Sequence, residues 1–429
     1  MSSTKKIVVV GAGASARCVI KNLRAANEGD PMHITVVQPN DFASMPFYQT
    51  LVLTKRDTFA ENSTFVEIDG SSTTIYGVAV GCSDGTVAVQ PLDKSKPVQN
   101  IDFDILVCAT GFAMPVICET PGQTKDERKA EIDRYSNALL SGKNVVIAGG
   151  GTVGIELAAD LLETLPEGSR NGKVTLVCSS DHLLADQSPN YGRRCKEVLE
   201  EFGCDFIFND RVSSHTDSMV SEGKPIELTL KSGKNLDCHV YVAAYGRGAN
   251  TDWLTKPAAG KDPLPAQLLN EKRQVIVDEY MQAAAYDKLY AMAATSNRQE
   301  ISIFMNVDTQ AQTVAKNIIK PKSAKQGDGS QHVMYQIVGH DTFGFFVPES
   351  WPMPSFVTTV CCHWCGFPCN MIFPCCWPCP LVLGYCCGPP EGKGLTDAMR
   401  ISKRMKMAAR NSGYYVKGKI GYGEEMERS

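Results

Sequence analysis

Ile7-Val8-Val9-Val10-Gly11-Ala12-Gly13-Ala14-Ser15-Ala16 is an apolar run, a glycine turn and the start of a helix pattern. Val145-Val146-Ile147-Ala148-Gly149-Gly150-Gly151-Thr152-Val153-Gly154 repeats that sentence 138 positions later. In such a turn the first glycine allows the tight bend, the second lets backbone approach a pyrophosphate, and a small third residue lets helix and strand pack. The helix start supplies amides and partial positive charge for phosphate. The first loop reads GxGxxA (Gly11, Gly13, Ala16), the second a full GxGxxG (Gly149, Gly151, Gly154). Glycine alone also serves purely steric turns; a strand before and a helix after each loop select nucleotide binding. Ala14 and Ser15 in the first loop, and Thr152 and Val153 in the second, open the helices and join the candidate phosphate contacts.

Outward from the loops the two copies stay parallel. In the first, the helix pattern runs through Leu23, a strand covers His33–Val37, strand-like segments follow at Thr73–Gly81 and Thr86–Pro91, and Asp104–Gly111 ends in the turn Ala109-Thr110-Gly111. In the second, a strand at Asn144–Ala148 leads to a helix reaching Leu165, a strand at Val174–Val177 and the turn Ala244-Tyr245-Gly246. Residues 119 to about 141 read as a polar, linker-like helix between them. The fold class expected is α/β, with two Rossmann-like units and a cysteine-rich hydrophobic C-terminal extension.

Composition bounds the functions. The chain has 429 residues, 43% apolar and 21% charged, so wholesale disorder is excluded. A net charge of −4 gives no surplus of basic charge for nucleic acid. The start, Met-Ser-Ser-Thr-Lys-Lys, has no signal-peptide core, and Ser2 excludes myristoylation, so a cytosol-facing protein is expected.

Two glycine loops at this spacing, each closed by an ATG-like turn (Thr110-Gly111 and Gly246), resemble the two-dinucleotide flavoprotein oxidoreductases over about residues 5–320. Within that class the chain is similar to the apoptosis-inducing-factor-like, ferroptosis-suppressor and type II NADH dehydrogenase family. Gln310–Ile318 resembles the helix that caps the flavin there. The resemblance implies FAD on residues 1–118 and 246–320, and NADH or NADPH on 119–245. It also implies hydride transfer across the flavin ring to a quinone-like small-molecule acceptor, with the cofactor carrying the chemistry and no catalytic side chain named. Disulfide reductases of this architecture carry a cysteine pair soon after the second strand; between Gln38 and Gly81 there is none, which favours a non-thiol acceptor.

Against that family the chain departs at named positions. The second strand ends Val36-Val37-Gln38, an amide where a ribose-binding acid is usual, with Asp41 either a substitute or a solvated loop acid. Ala293-Ala294 stand where the family has Gly-Asp, leaving Thr295 or Asn297 to replace a flavin anchor. The strand before Ser179-Ser180 also lacks an acid; Arg193 or Arg194 either reaches a 2′-phosphate or is simply solvated, so coenzyme choice stays open. Glu156 is either a nicotinamide contact or a helix-start acid serving the dipole. These departures support an alternative, a non-catalytic membrane-attached relative with a degraded flavin site.

The tail is a separate problem. Of 17 cysteines, nine fall between Cys361 and Cys387, in a stretch without Asp, Glu, Lys or Arg from 350 to 390. Irregular Cys-Cys pairs argue against zinc, so no metal is expected, and Pro368, Pro374, Pro378 and Pro380 argue against one straight membrane span. From Lys393 to Lys419 the charge is +7, with Ala398, Ile401, Met405 and Ala408 forming an apolar stripe. The expectation for 321–429 is attachment to an anionic membrane surface from the cytosolic side, the alternative being a cytoplasmic protein with an inert or partner-binding tail.

Overall fold

The computed structural model describes residues 4–319 apart from 28, 30, 43–45, 47–48, 56–72, 186–188, 214–217, 247 and 299–303, and beyond these only 336–337 and 345–346. The cysteine-rich stretch and the basic segment after it lie outside the described residues. Strand β1 (Lys5–Val10) has Ile7 to Val10 no more than 3% exposed, as a parallel strand covered on both faces requires. It leads into helix α1 (Ala14–Ala26), then β2 (Met32–Gln38), the short helix α2 (Gln49–Leu53), β3 (Thr73–Ser83), β4 (Thr86–Pro91), β5 (Gln99–Asp102) and β6 (Ile105–Cys108). Helix α3 (Lys125–Leu139) precedes β7 (Val145–Ala148), α4 (Thr152–Thr164), β8 (Val174–Val177), α5 (Pro189–Glu201) and β9 (Cys204–Ile207). Strands β10 (Met219–Val220), β11 (Ile226–Thr229), β12 (Asn235–Cys238) and β13 (Val240–Ala243) follow, then β14 (Leu289–Ala291) and helix α6 (Phe304–Ile319).

The repeat in the sequence is a repeat in space. The first sheet runs β14-β6-β1-β2-β3-β4-β5 and the second β10-β13-β7-β8-β9. Within them β6-β1-β2-β3 and β13-β7-β8-β9 have the same order and are parallel throughout. Each glycine loop therefore leaves the carboxyl end of a central strand, the edge where open α/β sheets bind ligands. On the first sheet α1 packs along α6, and the Lys5 ammonium donates to Ile318 O at 2.8 Å, closing that helix's last turn. A separate antiparallel ribbon, β11–β12, covers the second sheet's other face through Leu228, Cys238 and Tyr241.

Helix α3 is more than a linker. Thr124 and Glu127 form a capping box at its start, and Ile132, Tyr135 and Leu139 enter the second unit's core. Arg128 is fully buried; it pairs with Glu131 at 2.9 Å and donates to Val116 O and Ile117 O at 2.7 and 3.1 Å. Val116 has φ +68°, a strained value for a β-branched residue, and the buried guanidinium holds that turn. Helix α2 crosses between units: encoded after β2, it places Val52 and Leu53 in the core that holds Val145, Ile155 and Leu157.

Candidate functional site

Packing divides the loop glycines into two kinds. Gly11 has φ +116°, and a Cβ there would sit 2.3 Å from Ala109 O; Gly149 has φ +124° and would place one 2.4 Å from Ala244 O. A Cβ on Gly154 would lie 2.0 Å from Gly149 O, while its counterpart Ala16 is accommodated with no exposure. These positions are glycine or small because neighbouring backbone occupies the space. Gly13 and Gly151 differ. Their φ values of −69° and −83° suit any residue, and a Cβ on either would meet nothing within 4 Å. Each is the N-cap of its helix, α1 or α4, where Ser, Thr, Asp or Asn would normally satisfy an amide, and neither helix has a side-chain cap. Half-buried Ala14 and Ser15, and Thr152 and Val153, form the first turns behind them. A helix start with no side-chain cap and open space beside its N-cap glycine, as at both loops, is what a pyrophosphate needs.

The turns closing each unit are wired to the loops. Ala109 N–H donates to Val10 O at 2.9 Å and Ala244 N–H to Ala148 O at 2.8 Å. Thr110 Oγ1 donates to Asn250 O at 2.6 Å, the Asn250 side-chain amide returns a bond to Thr110 O at 3.2 Å, and Gly111 has φ +65°. Asn250, which sequence reasoning missed, thereby ties the first turn to the chain returning from the second unit. Gly246 has open space around it, with Gly248 N at 3.9 Å from a virtual Cβ.

At the end of β2, Gln38 is fully buried. Its Nε2 donates to Asn40 O at 2.6 Å and its Oε1 has no partner. Asn40 donates to Thr120 O and Gln123 O at 2.9 and 2.7 Å, with its Oδ1 unpartnered, and Asp41 is exposed. Gln49, also fully buried, has neither amide atom bonded. On the opposite side Ala293 has φ +52°, and its N–H donates to Gln310 Oε1 at 2.7 Å. Thr295 is not a free hydroxyl: fully buried, it bridges Cys108 O at 2.9 Å and Met292 O at 2.8 Å. The Asn297 side-chain Oδ1 accepts from Val277 N–H at 3.0 Å. So Thr295 and Asn297 brace β14 and its surroundings, and the Ala293-Ala294 stretch offers a ligand backbone only. The first site fits FAD through its open loop at Gly13, and Gln38, Ala293 and Ala294 bring no carboxylate to it.

In the second unit Ser179 is exposed, Ser180 Oγ donates to His182 O at 2.6 Å, and Arg193 is exposed. The side chain of Arg194 lies outside the described residues. Glu156 is half-buried on α4, next to buried Ile155 and Leu157.

Seven of the eight described cysteines have thiols raised by burial. Cys82, Cys178 and Cys238 are buried, Cys118 is half-buried, and burial pushes each thiol up to about 12. The Cys108, Cys195 and Cys204 thiols are raised for the same reason. A neutral buried thiol is neither nucleophile nor metal ligand. Among the described residues no cluster suits a metal ion, and no helix is long and apolar enough to cross a membrane.

Comparison with known proteins agrees with this geometry. The chain is 24% identical over 339 residues to ferroptosis suppressor protein 1 of Xenopus tropicalis, covering 75% of this chain and 82% of that one. It is 25% identical over 236 residues to the oxidoreductase ptaL of Pestalotiopsis fici, covering 54% of this chain and only 59% of that one. The solved NAD-dependent persulfide reductase from A. fulgidus shares the fold with a TM-score of 0.59 at 18% identity, over 80% of this chain and 64% of its own length. The family model described as pyridine nucleotide-disulphide oxidoreductase matches residues 5–315, and with its paired glycine loops the chain belongs to that family.

Proposed function

We propose that the protein is an FAD-dependent NAD(P)H oxidoreductase that passes electrons to a quinone-like acceptor at a membrane surface. The observation that carries this reading is the pair of uncapped helix starts, at Gly13 and Gly151, each opening on free space. In this reading residues 1–118 with 246–320 hold FAD and residues 119–245 hold NADH or NADPH. When bound, FAD supplies two-electron acceptance from a reduced nicotinamide and onward donation to the acceptor. The chain's part is to bind and orient: helices α1 and α4 face the two pyrophosphates, and Thr110 and Asn250 hold the crossover between units. The absence of a cysteine pair between Gln38 and Gly81 favours a non-thiol acceptor.

Membrane attachment rests on sequence patterning in 350–419. Purified full-length protein should oxidise NADH or NADPH with a soluble quinone and float with anionic liposomes. Truncation after Gly339 should keep the first activity and lose the second. A full-length chain that stays off anionic liposomes removes the membrane from the proposal. A second reading, a non-catalytic nucleotide-binding relative, is favoured by Ala293-Ala294, whose side chains cannot anchor a flavin. Protein that carries no flavin absorbance and takes up none from added FAD supports that alternative.

A further inference from the structure

The turns that close the two units differ in their middle residue. In the first, Thr110 is committed to the crossover through Asn250 O. In the second, the matching residue is Tyr245, a half-buried aromatic ring. Its backbone N lies 3.3 Å from where a Cβ on Gly149 would sit, so the tyrosine starts beside the first glycine of the second loop. Its phenol oxygen is 3.4 Å from that of fully buried Tyr241, four residues back on β13. The ring therefore runs from the lip of the sheet along the end of β13, resting on the cluster that contains Ala148, Tyr241 and Ala243. Part of it stays open, and exposed Gly246 beside it faces free space.

Sheet order decides which part of a dinucleotide lies over that ring. In β13-β7-β8-β9 the chain runs outward from β7 through β8 to β9, then returns to β13 on the other side of β7. The order therefore reverses between β7 and β13. A dinucleotide spans the crevice at such a point, with its pyrophosphate at the helix that follows the central strand. Its adenosine ribose lies at the end of the second strand of the unit, here β8. The other half must then extend to the opposite side of the loop, over the end of β13, where Tyr245 stands. That half of NAD(P) ends in the nicotinamide, a flat ring that is a cation when oxidised. An aromatic side chain favours both a flat ring and a cation against it.

We infer that Tyr245 is a coenzyme-contact residue, its ring forming the wall against which the nicotinamide of NAD(P) packs. The inference rests on the coenzyme reading of the second unit given above, and not on the flavin reading of the first. No proton or electron passes through Tyr245; its part is affinity for the nicotinamide half and placement of that ring. The contribution is selective by construction. It is present for a ligand that carries the nicotinamide and absent for one that stops at the ribose.

The test is calorimetric binding of two ligands to the full-length protein. One is the oxidised coenzyme, NAD+ or NADP+ as wild type prefers; the other is ADP-ribose or its 2′-phosphate, which lacks only the nicotinamide. Tyr245→Leu, which keeps apolar bulk and removes the aromatic face, should raise the coenzyme's dissociation constant about three- to tenfold. The same variant should bind ADP-ribose within about twofold of wild type, which also shows that it is folded. Tyr245→Phe keeps the ring and should stay within about twofold of wild type for both ligands. Tyr245→Met replaces the leucine variant if that one does not fold. Equal weakening of coenzyme and ADP-ribose in a folded variant overturns the assignment and makes Tyr245 a brace of the glycine loop. Unchanged affinity for both ligands, or a phenylalanine variant as weak as the leucine one, also overturns it. A wild type that binds neither ligand removes the coenzyme reading itself, a result distinct from failure of Tyr245 alone.

Discussion

The two glycine loops share one backbone plan and differ in what surrounds the bound nucleotide. Gly11 and Gly149 meet the same obstacle, a carbonyl oxygen of the adjoining turn, at 2.3 and 2.4 Å. Gly13 and Gly151 meet the same open space. Beyond the loops the units part. The first ends β2 in buried Gln38 and Asn40, whose amide nitrogens are bonded and whose side-chain oxygens have no partner, whereas the second presents exposed Ser179 and Arg193. The contrast separates glycines the fold requires from glycines it leaves free, which the motif alone cannot do.

The largest effect should come from exchanging the two kinds of glycine. Gly13→Val should abolish flavin retention and Gly151→Val should abolish reduction by nicotinamide coenzyme, each by at least about a hundredfold, with melting temperature nearly unchanged. Gly149→Ala should do the reverse, costing roughly 3 kcal/mol or more of stability through clash and backbone strain. Thermal melts alongside flavin content settle the pair; a Gly13→Val protein that keeps its flavin breaks the distinction.

A smaller effect probes the weak side of the first site. Ala293 occupies a left-handed conformation at φ +52°, held by the Gln310 side chain. Ala293→Gly should stabilise the protein by roughly 0.5–1 kcal/mol, the relief of the Cβ exceeding the added chain entropy. Ala294→Asp made with it should tighten FAD about tenfold by restoring a carboxylate contact. Equal FAD affinity in the double variant and wild type would mean that backbone and buried amides already suffice.

The smallest effect is electrostatic. Hydrogen bonds from Lys288 and Tyr286 hold the Asp84 carboxyl below its ordinary range, tying the β3–β4 turn to the approach to β14. A depressed folded pKa contributes stability above the unfolded value, lost as pH falls through the folded one. Asp84→Asn should therefore cost roughly 0.2–1 kcal/mol at neutral pH, and nothing once acid protonates the carboxyl. Paired acid and neutral melts check it; the same loss at both pH values would make the effect one of packing.

The repeat was legible because buried parallel strands write themselves as apolar runs: Val174–Val177 is read at its observed bounds, and Thr86–Pro91 likewise. The β11–β12 ribbon was not, since Glu227, Asn235 and Asp237 lie exposed on short strands with little apolar contrast. Helix α2 escaped notice because five residues carry no period. At the site, the glycines announced themselves, but their division into two kinds depends on Ala109 and Ala244, brought close only by folding. The polar helix pattern over 119–141 gave no sign of its buried Arg128, whose acceptors Val116 O and Ile117 O belong to another segment. Thr295 promised a free hydroxyl, and tertiary packing committed it to Cys108 and Met292. Gln49 is an ordinary polar letter until its surroundings leave it without a partner.

The central claim, two nucleotides on two loops with electrons passing from the second to the first, is tested most directly by anaerobic titration of the flavin-loaded protein. Wild type should lose its absorbance near ~450 nm when NADH or NADPH is added, and Gly151→Val should keep both flavin and absorbance. A wild-type spectrum that stays oxidised under excess of either coenzyme would contradict the account.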